Sequence, residues 1–291
     1  MRPSSTLVMS EEEFRLLREF INAHSGFAFS GEAIRFLERR LIVRVTALGL
    51  GSFSEYYRYL RYHPAKATEL SRLMDAVTTN ETYFFREIQQ LNVFRDQVLP
   101  ELHALAAPRK SLTVWSAGCS TGEEVYSLAM LIDESRLFEG WNVCVFGNDI
   151  SQRVVHIART GVFRQSSFKA MPPQYMRYFA DESEGRSVIP RIRRWCSFGH
   201  FNLLDERQTL MMGYVDAIVC RNVLIYLDNH SREKIIHTFY ERLHPGGYLL
   251  LGHSESLLYA STTFDFVHLR GDLAYRKGSE VRRNGEGGSA L

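Results

Sequence analysis

The segment Val114-Trp115-Ser116-Ala117-Gly118-Cys119-Ser120-Thr121-Gly122-Glu123-Glu124 ends a short apolar run with small residues and follows them with two carboxylates. Small residues at such a point turn the backbone sharply between a strand and a helix. Gly118 and Gly122 leave room for a ligand to approach the main chain. A nucleotide-like cofactor is the usual occupant of that crevice. Glu123 and Glu124 would repel a pyrophosphate and attract a cationic group such as an α-ammonium or a sulfonium, which favours S-adenosylmethionine over a nicotinamide dinucleotide. A tight helix cap with no ligand is the plain alternative. Downstream, Gly147-Asn148-Asp149-Ile150 closes a second apolar run. An acidic residue there can accept hydrogen bonds from both ribose hydroxyls of an adenosine, or it can cap the helix that begins near Ser151.

Three further segments stand out: Thr79-Asn80-Glu81-Thr82-Tyr83-Phe84-Phe85-Arg86-Glu87, Phe201-Asn202-Leu203-Leu204 and Cys220-Arg221-Asn222-Val223-Leu224-Ile225-Tyr226-Leu227-Asp228. Together with residues 115–127 and Gly252-His253-Ser254-Glu255-Ser256, they closely resemble the CheR methyltransferases in order and spacing, over roughly residues 11–275. The resemblance implies cofactor contacts from Asn80, Thr82, Arg86, the Glu123/Glu124 pair, Asp149, Asn202, Leu203, Arg221 and Asn222, and it puts Tyr226 close to the transferred methyl. Of the two glutamates, Glu124 is favoured. Val125 departs from the proline that many relatives carry, and Cys119 sits inside the turn.

The activity implied is S-adenosylmethionine-dependent esterification of glutamate side chains on a chemoreceptor, with S-adenosylhomocysteine as product. A glutamate carboxylate, with a reference pKa near 4.3, is already ionised at neutral pH and needs no general base. The site must align nucleophile, methyl and sulfur and exclude water. Arg86 is the candidate for orienting the incoming carboxylate through a two-pronged hydrogen bond. An ion pair with Glu87 or another linker carboxylate is its plainer reading. Tyr226 lines the methyl site, or else is a core aromatic with its hydroxyl at the rim. His253 reads as a structural hydrogen-bonder.

These residues need a scaffold. Alternating strand and helix signals, with strands near 112–117, 141–147, 215–220 and 248–251, predict a mostly parallel sheet covered on both faces. The fold class is α/β: a Rossmann-like class I methyltransferase sheet, closed by an antiparallel hairpin at 264–269 and 273–276. The resemblance adds a small inserted β-subdomain and an all-α N-terminal domain. The organisation expected is a helical domain over 1–78, a linker with a connecting helix over 79–110, and a catalytic domain over 111–278. The insert runs over about 161–201, with 186–201 as its antiparallel appendage, and 279–291 is a disordered tail. In the helical domain Ser10 and Glu13 form a capping box. A second helix over 32–48 buries Ile34, Leu37, Leu41, Val45 and Leu48. Its other face carries Arg35, Arg39, Arg40 and Arg44 with Phe36 and Val43, suited either to an acidic helical bundle or to packing on the catalytic domain.

Composition narrows the classes. The chain has 291 residues, 45% hydrophobic and 23% charged, with a net charge of +2, too small to imply nucleic acid. Its four cysteines are scattered without metal-ligand spacing, so no metal is expected. No run approaches the roughly 20 apolar residues of a membrane span, and the first ten lack the apolar core of a signal peptide. The expectation is a cytoplasmic monomer recruited to membrane-bound receptor arrays, with the cytoplasmic helical bundle of a methyl-accepting chemotaxis receptor as partner. Rival readings keep the fold but change the acceptor to a small molecule or nucleic acid, or make the protein a non-catalytic cofactor sensor.

Overall fold

The computed structural model describes residues 7–257 and 264–278; the tail expected over 279–291 lies outside the described residues. Four helices come first. Helix α1 (Glu11–Ser25) starts on the expected capping box, in which Ser10 and Glu13 exchange bonds, and stops at Gly26, whose φ of 75° ends it in the left-handed region. Helices α2 (Ile34–Ala47) and α3 (Phe53–Tyr62) pack on it, and α4 (Lys66–Val77) packs on those two. Leu17, Ile21, Leu37, Leu41, Val45, Tyr56 and Leu73 are wholly buried in this small core.

The arginine face of α2 is not uniform. Arg44 turns inward and forms a two-pronged pair with the buried carboxylate of Glu69 on α4, at 2.9 and 2.7 Å, with the Tyr56 hydroxyl donating to the same carboxylate at 2.9 Å. Arg44 therefore belongs to the helical core and not to a docking face. Arg35, Arg39, Arg40 and Val43 remain exposed, whereas Phe36 is partly buried against Phe29.

The connecting helix is continuous from α5 (Ile88–Val93) through a π turn (Phe94–Val98) into α6 (Leu99–Ala106). Then follow β1 (Ser111–Ala117), α7 (Glu123–Ser135), β2 (Asn142–Asp149) and α8 (Gln152–Thr160). The insert supplies β3 (Val162–Phe163), β4 (Phe179–Glu182), β5 (Gly185–Val188) and the short α9 (Pro190–Arg193). The chain continues with β6 (Cys196–His200), α10 (Glu206–Leu210), β7 (Val215–Cys220), α11 (Asn229–Arg242), β8 (Leu243–Leu251), β9 (Phe264–Leu269) and β10 (Asp272–Lys277).

Seven strands form one sheet in the order β6-β2-β1-β7-β8-β10-β9, parallel except for the closing hairpin. Strands β3, β5 and β4 make a separate antiparallel sheet. The appendage expected over 186–201 thus divides. Residues up to Val188 belong to the small sheet, and Cys196–His200 is the parallel edge strand beside β2. An edge strand needs no continuous apolar run, and no residue of β6 is fully buried, which is why its sequence resembles a surface hairpin. Strand β7, in the middle, is buried at every position. Alternate residues of β1 feed opposite cores: Val114 belongs to the one with Phe84, Phe94 and Leu128, and Trp115 to the one with Phe239 and Leu249.

The helical domain docks through the segment that follows α1. Phe27 bridges Leu227 antiparallel, the Ala28 N–H donates to the Tyr226 carbonyl at 2.8 Å, and the Asp228 N–H donates to the Gly26 carbonyl at 2.9 Å.

Candidate active site

At the carboxyl ends of β1, β2 and β7 lies a cleft of about 360 Å³, roofed by Phe27, Phe29 and Phe36 of the helical domain. The turn after β1 holds Gly118 at φ 80° and Ser120 at φ 49°. A Cβ on Gly118 would lie 2.5 Å from Cγ2 of Val223, so this glycine is required by the neighbouring loop as well as by any ligand. Phe85, Glu87 and Asn222 also have positive φ. Such conformations persist only where the surroundings enforce them, and they concentrate at functional sites.

Asp149 lies at the cleft with 8% of its surface exposed. One carboxylate oxygen accepts the Ser120 N–H and the other the Ser151 N–H, both at 2.9 Å. The Ser151 hydroxyl is the cap of α8, so Asp149 is not. Burial pushes the Asp149 carboxyl above its usual range. Glu124 also faces the cleft. It accepts the Ser116 hydroxyl at 2.8 Å and an Arg221 Nη at 3.3 Å, and burial raises its pKa despite Arg221. Glu123, its neighbour, is absent from the cleft lining. Its oxygens accept from Thr121 at 2.6 Å and from Ser167 at 2.8 Å, which fastens the insert to α7. Consecutive helical residues point about 100° apart, so only one of the pair can serve the cleft.

Arg221 is buried, its side chain 2% exposed, and bonds Glu87 at 3.1 Å as well as Glu124. Its Nε has no partner among the described residues. Glu87 also meets His253 at 2.9 Å, so His253 is the structural bonder expected. Burial raises the Glu87 pKa, but Arg221 and His253 outweigh it and hold the carboxyl low. With Glu87 so occupied, Arg86 makes no pair with it. Arg86 Nη1 donates to the Glu81 carbonyl at 2.9 Å, and no carboxylate partner is found for it among the described residues. Tyr226 is 41% exposed at the cleft and is not a core aromatic.

Asn80, Thr82, Asn202, Leu203 and Asn222 all line the same cleft. Asn80 accepts the Ser120 hydroxyl on its carbonyl at 3.2 Å, and Asn202 Oδ1 accepts the Leu204 N–H at 3.0 Å. Sequence reasoning placed Glu87 only as a partner for Arg86, and assigned no role to Phe27, Phe29 or the roof as a whole. The alternation Phe27-Ala28-Phe29 is the one local signal that a short extended segment packs there.

Residues 80–272 match the family described as CheR methyltransferase, SAM binding domain, and residues 12–78 match that described as CheR methyltransferase, all-alpha domain. The chain belongs to the CheR methyltransferases. It is 34% identical over 274 residues to Chemotaxis protein methyltransferase 2 of Vibrio cholerae, covering 93% of this chain and 94% of that protein. It is 33% identical over 279 residues to the Chemotaxis protein methyltransferase of Vibrio parahaemolyticus, covering 94% and 99%. Among solved structures, the N-methyltransferase NodS from Bradyrhizobium japonicum, in complex with S-adenosyl-l-homocysteine, is 16% identical with a TM-score of 0.37, over 57% of this chain and 78% of that one.

As in the CheR SAM binding domain it matches, the cleft suits S-adenosylmethionine in its donor set. Glu124 and Asp149 present carboxylates to it, and Phe27, Phe29 and Phe36 line it with aromatic rings. Three carboxylates, Glu81, Glu124 and Asp149, line the cleft against two arginines, Arg86 and Arg221, a balance that disfavours a pyrophosphate.

Proposed function

We propose that this CheR methyltransferase esterifies glutamate carboxylates on the cytoplasmic helical bundle of methyl-accepting chemotaxis receptors, releasing S-adenosylhomocysteine. The observation that carries the acceptor class is Arg86, which stands in the cleft without a carboxylate partner among the described residues. A hydroxyl or ammonium acceptor must lose a proton, but a carboxylate is already ionised and needs only a cationic guide. The names of the two Vibrio relatives support the chemotaxis setting.

Bound S-adenosylmethionine supplies an electrophilic methyl group on a positively charged sulfur. Glu124, steadied by Ser116 and Arg221, faces the α-ammonium, and Asp149 takes the ribose hydroxyls. Asn80, Thr82, Asn202, Leu203 and Asn222 line the remainder of the pocket. Arg86 orients the incoming carboxylate and Tyr226 borders the methyl site. Glu123 is left out of the set because its bonds hold the insert. Outside the cleft, exposed Arg39 and Arg40 on α2 supply positive charge for an acidic receptor bundle, and the protein works as a cytoplasmic monomer at receptor arrays. No helix among the described residues is long and apolar enough to cross a membrane.

The test incubates the protein with methyl-labelled S-adenosylmethionine and receptor-containing membranes, then treats the product with base. Base-labile label on receptor glutamates is expected. Base-stable label, or label on a small molecule or nucleic acid instead, overturns the acceptor assignment.

A further inference from the structure

The loop that carries Asn222 and Tyr226 leaves β7 with Asn222 at φ 58° and then makes only a short 3-10 turn, Leu224–Tyr226. One side chain gathers its main-chain donors. Glu255 Oε2 accepts the N–H groups of Asn222 and Gly252, each at 2.8 Å, and Oε1 accepts those of Val223 at 2.9 Å and Ile225 at 3.3 Å. Glu255 lies just beyond β8, the strand beside β7, so its carboxylate spans the ends of two neighbouring strands. Gly252 makes the approach possible: a Cβ there would sit 2.8 Å from Glu255 Oε2 and 3.1 Å from the Asn222 nitrogen.

We propose that Glu255 is a positioning residue for methyl transfer, which sets the place of Asn222 and Tyr226 in the cleft by holding three N–H groups of their loop on one carboxylate. The proposal rests on the reading of the cleft as the transfer site. A carboxylate is the group with enough lone pairs for four donors, and its charge strengthens each bond. Glutamine in its place keeps one accepting oxygen and turns an NH₂ towards the other two donors. The loop's carbonyls are held from elsewhere: Tyr226 by the Ala28 N–H at 2.8 Å, and Leu224 by Arg232 at 3.2 Å. With both sides of the backbone pinned, the half-exposed Tyr226 ring takes its position from the main chain and not from its own packing.

Two measurements test this. In the wild-type protein, residue-resolved amide exchange should show Asn222, Val223 and Ile225 protected although they lie in a loop. Unprotected exchange at these three amides overturns the clamp, whatever any variant does. Next, turnover, S-adenosylhomocysteine affinity and melting temperature are measured for Glu255→Gln, Tyr226→Phe and the double variant. Glu255→Gln should lower turnover on the order of 100-fold, the scale of a reacting group displaced by about 1 Å. In the Tyr226→Phe background the same change should cost markedly less, on the order of tenfold, because part of its effect passes through the Tyr226 hydroxyl. Equal losses in both backgrounds, or near wild-type turnover in a folded Glu255→Gln, overturn the proposal. Where the wild-type protein methylates no receptor at all, the acceptor reading has failed instead, and the exchange data still decide the clamp.

Discussion

Replacing Arg44 with methionine removes the cation from a carboxylate that cannot reach water. Glu69 keeps a side chain only 3% exposed, and Arg44 itself is 19% exposed, with both prongs of the pair under 3 Å. Breaking such a pair from one side costs about 3–5 kcal/mol, because the surviving charge stays buried. Arg72 lies 3.8 Å from the same carboxylate with a side chain 56% exposed, and swinging inward would return at most about 1 kcal/mol. A net loss of about 3 kcal/mol follows. For a helical domain of this size each kcal/mol moves the midpoint by about 4–8 °C, so its thermal transition should fall by roughly 12–24 °C. Urea unfolding followed by circular dichroism gives the free energy directly. Adding Glu69→Gln should restore more than half of the loss, since the amide oxygen still accepts from Tyr56 and no charge remains buried. A loss below about 1 kcal/mol in Arg44→Met would show that Glu69 is hydrated in solution, and the reasoning from burial would fail.

Reversing Arg39 and Arg40 to glutamate should leave stability within about 1 kcal/mol, since both are exposed; the Michaelis constant for receptor should rise at low salt, and an unchanged constant removes α2 from the docking surface. Asp149→Ala should abolish measurable S-adenosylhomocysteine binding by calorimetry while Tyr226→Phe keeps it, and retained affinity in Asp149→Ala would rule out the ribose assignment. Arg86→Ala and Arg86→Lys should both depress turnover, by about tenfold or more, if the two-pronged fork matters; a fully active alanine variant dismisses Arg86 from the site. Burial raises the carboxyls of Glu124 and Asp149, so acidification protonates them earlier than exposed carboxylates. Cofactor affinity should then weaken on that path. These groups' contribution to apo stability runs the other way, because a raised folded-state pKa favours folding as pH falls towards it; calorimetry across the range checks both signs.

Local signals were the ones that read correctly. Ser10 with Glu13, the glycine turn and the Asp149 strand end each depend on residues a few positions apart, and each took the expected form. Failures arose where a residue's partner is distant in sequence. Nothing near Arg44 announces Glu69, which lies on another helix, and so a core arginine passed for a surface one. Strand β6 was hidden because an edge strand pairs on one side only and shows no apolar run. Spacing could not separate Glu123 from Glu124, since the choice is made by the rotation of α7 against the insert. Glu255 sat inside a motif whose role is visible only when the loop after β7 is seen beside the end of β8.

The aromatic roof of Phe27, Phe29 and Phe36 has a thermodynamic consequence. Because the floor of the pocket comes from one domain and its lid from the other, neither half alone encloses a ligand. Any molecule that fills the cleft acts as an adhesive between them, and its binding free energy is added to the junction at Phe27 and Leu227. Empty protein should therefore melt in two steps, helical domain apart from sheet domain, and saturation with S-adenosylhomocysteine should fuse them into one cooperative transition.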